Sequence, residues 1–410
     1  MVQPMLKHIL PILGLAVSLG MSSCSETRRD QLAVEANDEA PQETKAPPVT
    51  PAPPPPAPPG FDEAMQTHKP LGKVAGAAEP FSLKVDLADG KFSEALNYAA
   101  QKSSYAFLVW HKGAIRHETY FAPHDATLRP DSASMHKSVT GLAVGAALDK
   151  GIIKSIDETI GTYIPEWKDQ PRGNITIRNL LEMNSGLAPL SSEGGMNSPA
   201  MTFWMQGDKA RGLMMGMELR DEPGTVFNYA NAVTQILGLI LERASDQPYE
   251  DFLSDHIWTP LGAEDAYVWY NEADGFPRTY SSLMAQARDW MKLGILIKDG
   301  GKFNSKQIVS EDYIKKMVSP SATNPSYGWQ IWLGTAYEPV RFYNETKVGL
   351  SVAASAPFKA DDMIYFDGFG GQRVYISPSN DLVIVRTGDP AFDWDESFLP
   401  NSVLDALSNN

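Results

Sequence analysis

"SASMHKSVTGLAVGAALDKGII" (132–153) is the stretch on which the fold turns. Beyond Lys137 it is apolar on every side of a helix, with Gly141 and Gly145 inside the run. A helix without a polar face is a buried one, and its glycines let neighbouring elements approach closely. Ser134 stands at its start and Lys137 follows one turn along, on the same face. Ser-x-x-Lys by itself is a weak pattern, with about one chance match in a chain this long. Two readings stay open on this stretch. In one, a serine caps the helix and a lysine snorkels outward. In the other, the Ser134 N–H is one of the unpaired donors at a helix start, which favour negative charge. Desolvation then pushes the Lys137 pKa down, and the lysine acts as a base.

Two further stretches carry similar ambiguity. In "EPGTVFNYANAV" (222–233), Tyr229 and Asn231 follow a Pro-Gly turn and precede an amphipathic helix. A hydroxyl that relays a proton and an amide that holds a carbonyl can face one cavity from there. A buried tyrosine beside an asparagine cap accounts for the same letters. In "FDGFGGQRVYISP" (366–378), Gly368, Gly370 and Gly371 let backbone come close to a ligand, so that N–H groups serve as oxyanion donors. A bulge or tight turn is the plainer account.

The surrounding pattern predicts an α+β fold. "FSEALNYAAQ" (92–101) has helical spacing, and "YAFLVWHKGAIRHETYF" (105–121) reads as two strands turned at Lys112-Gly113. The remaining strands lie far away, as "DMIYFDG", "RVYISP" and "LVIVRTG" between 362 and 388, before a final helix over Asp395 to Leu407. The middle, 138–300, reads as mostly helical, for example at 231–245 and 282–300. An antiparallel sheet drawn from both chain ends, with a helical insertion between, is the expected plan, and neither half should fold alone.

Residues 1–23 read as an export signal: Lys7, an apolar run from Ile9 to Gly20, then small residues before Cys24. The run is too short for an ordinary membrane-spanning helix. Cys24 is the only cysteine, so it has no intramolecular disulfide partner. Residues 24–75 read as a tether, since "APPVTPAPPPPAPPG" (46–60) favours a semi-rigid polyproline spacer. Residues 76–410 are then one large domain. The net charge of −15 argues against a nucleic-acid partner and against adsorption to anionic lipid. Seven histidines without a His-Glu-x-x-His or Cys/His cluster give no reason to expect a metal or other cofactor.

In order and context, the three stretches resemble the motifs of the serine β-lactamase and penicillin-binding-protein superfamily. The branch resembled is that of class C β-lactamases, D,D-peptidases, family VIII-type esterases and nylon-oligomer hydrolases. "ITIRNLLEMNSGL" (175–187), "QARDWMKLGILIKDGGKFNSKQIVS" (286–310) and "YGWQIWL" (327–333) are similar too, so the resemblance spans roughly 90–407. It implies a β-lactamase-like fold and acyl transfer on a small ester or amide. By the same resemblance Ser134 is the nucleophile, Lys137 its base, Tyr229 the proton shuttle and Asn231 a substrate-orienting group. The turn with Gly368, Phe369 and Gly370 supplies the oxyanion hole, where the Phe369 N–H pairs with that of Ser134. Cys24 resembles the lipid-acceptor cysteine of bacterial lipoproteins, which implies an envelope or periplasmic location at a membrane. A wall-directed D,D-peptidase or D-aminopeptidase, a weak β-lactamase and a silent envelope-binding homologue are the competing readings.

Two departures stand out. The first residue of the third motif is usually Lys or His in β-lactamases and D,D-peptidases, where it meets the substrate carboxylate; here it is Phe366. Nylon-oligomer hydrolases use a lid tyrosine, yet no tyrosine lies between Leu187 and Asn228. Met-rich "MTFWMQGDKARGLMMGMEL" (201–219) occupies that segment, either as an adaptable acyl pocket or as a helix packed on the core. Of the other polar residues, His136 reads as structural, His111 as a solvated strand end, and Asp131 as an aid in capping the helix.

Overall fold

A computed structural model describes residues 71–408 apart from 89, 194–197, 206, 271–276, 335 and 348. The stretch read as an export signal, Cys24 and the proline-rich run lie outside the described residues. The folded part starts earlier than expected, with β1 (Leu71–Val74) inside the stretch read as tether. Its letters, LGKV, contain no proline, and Val74 is fully buried.

Helix α1 (Ser93–Gln101) turns Ala95, Tyr98 and Ala99 inward. Strands β2 (Ser104–His111) and β3 (Ala114–Tyr120) form the expected hairpin. Lys112 (φ 48°) and Gly113 (φ 84°) are both left-handed, the two-residue loop whose twist matches that of the flanking strands. A single 3₁₀ turn, Ala133–Met135, leads into α2 (His136–Asp149). Every residue of α2 from His136 to Ala147 is buried. A methyl at Gly145 would sit 2.6 Å from the Tyr313 ring, so the close approach expected of this helix is real.

The insertion is less helical than expected. The described residues of 150–198 hold short 3₁₀ turns and the five-residue helix Ile177–Leu181. Then come α3 (Pro199–Met205), α4 (Gly207–Met215) and α5 (Asn231–Ser245), the last of these spanning the predicted residues. Strand β4 (Ala266–Trp269) pairs with β1 and with β5 (Leu283–Met284) in a small antiparallel sheet. That pairing takes Leu283 and Met284 out of the helix expected over 282–300, which shrinks to α6 (Ala287–Lys298).

Strands β6 (Trp332–Leu333), β7 (Val340–Phe342), β8 (Ser351–Ala353), β9 (Ile364–Gly368), β10 (Gln372–Ser377) and β11 (Leu382–Gly388) follow. The main sheet runs β3-β2-β11-β10-β9-β6, antiparallel throughout. It joins both chain ends, as the α+β reading requires. Helix α7 (Phe398–Ser408) starts three residues later than expected because Asp395 caps it, its Oδ1 accepting the N–H groups of Ser397 (3.0 Å) and Phe398 (3.3 Å). Helix α6 packs on the sheet, α2 packs on α5, and β7 pairs with β8 as a separate hairpin.

Candidate active site

The turn before α2 is held from several sides. Ala133 has φ +47°, a left-handed value uncommon for a residue with a side chain and a kind of strain that gathers at functional sites. Asp131 Oδ1 accepts the Ala133 N–H at 2.7 Å, so Asp131 does brace the helix start. The Ala133 carbonyl accepts the Ser282 N–H at 3.3 Å, and Ser132 Oγ accepts the Leu283 N–H at 3.1 Å. The bend leaves Ser134 half-buried on the wall of a cavity of about 620 Å³.

Lys137 lies beneath it with its ammonium position fully enclosed. Nζ is 2.9 Å from Ser134 Oγ, 2.8 Å from Asn231 Oδ1 and 2.9 Å from the Tyr280 carbonyl. Burial pushes this lysine down from 10.5 to about 7, against a smaller upward pull from the Asp367 charge. A neutral amine has two N–H bonds and one lone pair. Asn231 and the Tyr280 carbonyl accept the two N–H bonds, which leaves the lone pair for the Ser134 hydroxyl proton.

The Tyr280 carbonyl is one of three consecutive acceptors tied to α2. Thr140 Oγ1 donates to the Thr279 carbonyl at 2.6 Å, Lys137 to that of Tyr280, and His136 Nδ1–H to that of Ser281 at 2.9 Å. His136 Nε2 lies 3.0 Å from the Tyr249 hydroxyl, and burial holds the imidazole down at about 4. His136 is thus a neutral structural residue, as the helix geometry implied. His111 ends β2 half-buried, away from the cavity lining.

Asn231 is the first residue of α5 but does not cap it; its side chain is turned to Lys137 instead. Tyr229 also reaches the cavity, with its ring 4.8 Å from Lys137 Nζ. Burial, reinforced by the Asp367 charge, drives the Tyr229 phenol well above its usual range. Tyr229 therefore stays protonated at neutral pH, and Lys137 is the group poised to accept a proton. The rings of Trp332 and Tyr343 hold it, at 5.6 and 5.2 Å between centroids.

The third motif divides differently from expectation. Successive residues of a strand face opposite sides. Phe366 on β9 is fully buried and meets Trp290 of α6 edge to face at 6.4 Å. The residue on the cavity side is Asp367. A methyl on Gly368 would lie 2.5 Å from the Ser132 carbonyl, so only glycine lets β9 come so near the turn that bears Ser134. Phe369 lines the cavity. Gly370 lies in the expected turn. Its φ is +72°, a methyl there would meet Pro390 at 2.4 Å, and its carbonyl accepts the Ala391 N–H at 2.9 Å.

Several lining groups had no place in the sequence reading. Asp367 is buried beside two arginines. Its Oδ2 accepts from Arg341 Nη2 (2.8 Å) and the Tyr343 hydroxyl (2.7 Å), and its Oδ1 pairs with Arg373 Nη1 at 2.6 Å. Glu396 bridges the same arginines at 2.6 Å each. Burial pushes the Glu396 carboxyl up, but Arg373 and Arg341 outweigh it and hold the group at about 2. Tyr343 and Asn344 follow β7, and Leu350 precedes β8; all three line the cavity. The wall from the Met-rich segment is Phe203, Trp204 and Met217, whereas Met214 is buried in the core. The segment thus lines the cavity with some residues and packs into the core with others.

Comparison with known proteins bears on the family and the fold. The family model described as Beta-lactamase matches residues 91–387. The 6-aminohexanoate-dimer hydrolase of Paenarthrobacter ureafaciens is 28% identical over 227 residues, which are 52% of this chain and 57% of that protein. The chain thus spans less than two thirds of that relative. A Bacillus anthracis protein named for 6-aminohexanoate-dimer hydrolase superposes with a TM-score of 0.67 at 20% identity, over 84% of this chain and 90% of its own. A family VIII carboxylesterase superposes with a TM-score of 0.57 at 14% identity, over 80% and 100%. With a family model spanning 91–387 and its fold reproduced, the chain belongs to the β-lactamase family of serine hydrolases.

Proposed function

We propose that the protein is exported, held at the cell envelope by a lipid on Cys24, and cleaves a small ester or amide through an acyl-Ser134 intermediate. Ser134 Oγ attacks the carbonyl carbon while its proton passes to Lys137 Nζ. The negative oxygen that forms is met by the backbone N–H groups of Ser134 and Phe369. The bond to the leaving group breaks as Tyr229 hands it a proton, which Lys137 restores to Tyr229. Water then attacks the acyl ester with Lys137 again as base, releasing the acid and regenerating Ser134. Asn231 steadies Lys137 and borders the substrate.

One observation carries this reading: a lysine held near neutrality by burial, 2.9 Å from the serine hydroxyl at the wall of a cavity. The names of the relatives, a 6-aminohexanoate-dimer hydrolase and a carboxylesterase, support hydrolysis as the reaction class. A fluorophosphonate and a fluorescent penicillin, each followed by peptide mass spectrometry, test it. The expected result is a fluorophosphonate adduct on Ser134. Absence of any adduct there with either reagent would favour a silent envelope-binding homologue. Penicillin labelling that turns over slowly would move the assignment to a D,D-peptidase. The anchor is tested by a Cys24→Ala variant, which should leave the membrane fraction.

A further inference from the structure

Most polar side chains on the cavity wall already serve the protein. Gln372 accepts the Gly388 N–H at 2.9 Å and donates to the Gly388 carbonyl, so both ends of its amide are engaged. Asp367 is matched by Arg341 and Arg373 in a set of two arginines and two carboxylates that sums to zero charge, and the Tyr343 hydroxyl donates to it. Asn231 Oδ1 accepts from Lys137, and the Ser281 and Ser282 hydroxyls lie 3.2 Å apart. The segment 189–217 adds the apolar side chains of Leu190, Phe203, Trp204 and Met217. Phe203 stacks at 5.2 Å on Tyr280, whose ring is 5.5 Å from Lys137 Nζ, so this apolar wall stands beside the reacting pair. Apolar groups also stand in water at the opening. Leu350, which lines the cavity, is 52% exposed, and Phe392, 70% exposed, packs edge to face on the lining residue Phe369 at 5.5 Å. Large apolar side chains left in solvent around one opening mark a surface that an apolar ligand covers.

We infer that the cavity takes the acyl group of its substrate as a plain hydrocarbon chain or ring, bound against Leu190, Phe203, Trp204 and Met217, and discriminates against acyl groups that carry polar atoms. The inference rests on the acyl-serine reading and names its substrate class. The leaving group is met by Tyr229, whose ring is flanked by Trp332 and Tyr343, so the wall at 189–217 falls to the acyl part. A volume of about 620 Å³ lies within the range of sites that enclose whole small-molecule ligands, more than an acetyl group fills. Each methylene that leaves water there gains up to about fourfold in kcat/KM. A polar atom in the same place loses its water and finds the neighbouring partners already engaged, which costs about fivefold.

The test is a series of p-nitrophenyl esters: acetate, butyrate, hexanoate and 4-methoxybutanoate, the last matching hexanoate in length with one methylene replaced by oxygen. Each kcat/KM of the full-length protein is divided by the ester's spontaneous hydrolysis rate. Hexanoate should exceed acetate by at least about tenfold, with butyrate between them. The ether ester should fall below hexanoate by at least about threefold. Trp204→Ala should reduce the hexanoate-to-acetate ratio by at least about threefold. Leu190→Asn, which keeps the size of a half-buried side chain, is the second variant should loss of the indole loosen the segment, and it should lower the same ratio. A hexanoate-to-acetate ratio below tenfold overturns the inference, as does an ether ester within threefold of hexanoate or a ratio unchanged in both folded variants. Fluorophosphonate labelling separates the two levels. A labelled Ser134 with a flat ester series removes the apolar acyl site alone, whereas no labelling and no hydrolysis of any ester remove the hydrolase reading and this inference with it.

Discussion

Two walls of one cavity bury charge in opposite ways. On the α2 wall a single lysine is enclosed by uncharged acceptors, and burial brings it down to about 7. On the β9 wall two arginines and two carboxylates are equally enclosed, yet Glu396 is held at about 2 because opposite charges surround it. Burial is common to both, and pairing decides whether the group stays titratable. An unpaired buried cation is one that gives up its proton readily, which a base must do. A paired cluster resists titration and behaves as a strut. The strut carries Asp367 and, through Tyr343, the hairpin that closes the cavity.

Predictions follow from that contrast, the largest first. If Ser134 is the proposed nucleophile, Ser134→Ala should lower ester hydrolysis by at least about a thousandfold while leaving the circular dichroism spectrum unchanged. A folded alanine variant with near-normal turnover would remove Ser134 from the chemistry.

Glu396→Gln should break the strut. It leaves two buried arginines with one carboxylate, at a cost of about 3–5 kcal/mol in unfolding free energy measured by denaturant titration. A loss below about 1 kcal/mol would mean that the cluster is not the brace described.

The two walls should also separate on the pH axis. In the proposed mechanism Lys137 is the base only when neutral, so kcat/KM should fall about tenfold per pH unit as pH drops below about 7. The depressed Glu396 carboxyl contributes stability that is full above its ordinary value of 4.5 and is lost as pH falls towards about 2. Activity should therefore disappear well above the pH at which the fold weakens. Coincident loss of activity and near-ultraviolet circular dichroism would contradict the contrast.

The smallest effect is expected at Phe366. Phe366→Leu should cost about 1 kcal/mol through looser packing on Trp290, with kcat/KM nearly unchanged. A large kinetic change at constant stability would return Phe366 to the cavity wall.

Much of this was legible in the letters, for physical reasons. The apolar run after Lys137 has no solvent face, so it had to be a buried helix, and the i, i+3 spacing set Ser134 and Lys137 together. Local turn chemistry at Lys112-Gly113 and the β-rich runs near the C-terminus identified the sheet. Other features were not legible, because they depend on partners distant in the chain. Strand alternation says that Phe366 and Asp367 face opposite ways, but not which way the cavity lies; α6 packing on one face of the sheet decides that. The Tyr280 acceptor is a backbone carbonyl, which every residue possesses, so no letter marks it. Gly370 and Gly368 look alike in the sequence, yet one makes a turn against Pro390 and the other a close approach to Ser132.

The sequence by itself therefore determined the elements, their order and the residues able to react. It did so because helical periodicity, turn chemistry and reactive groups are local properties of the chain. Only the tertiary structure decided the charge of the cavity. That depends on Arg341, Asp367, Arg373 and Glu396 meeting across as many as 55 residues of chain, where burial makes each group's state a function of the others.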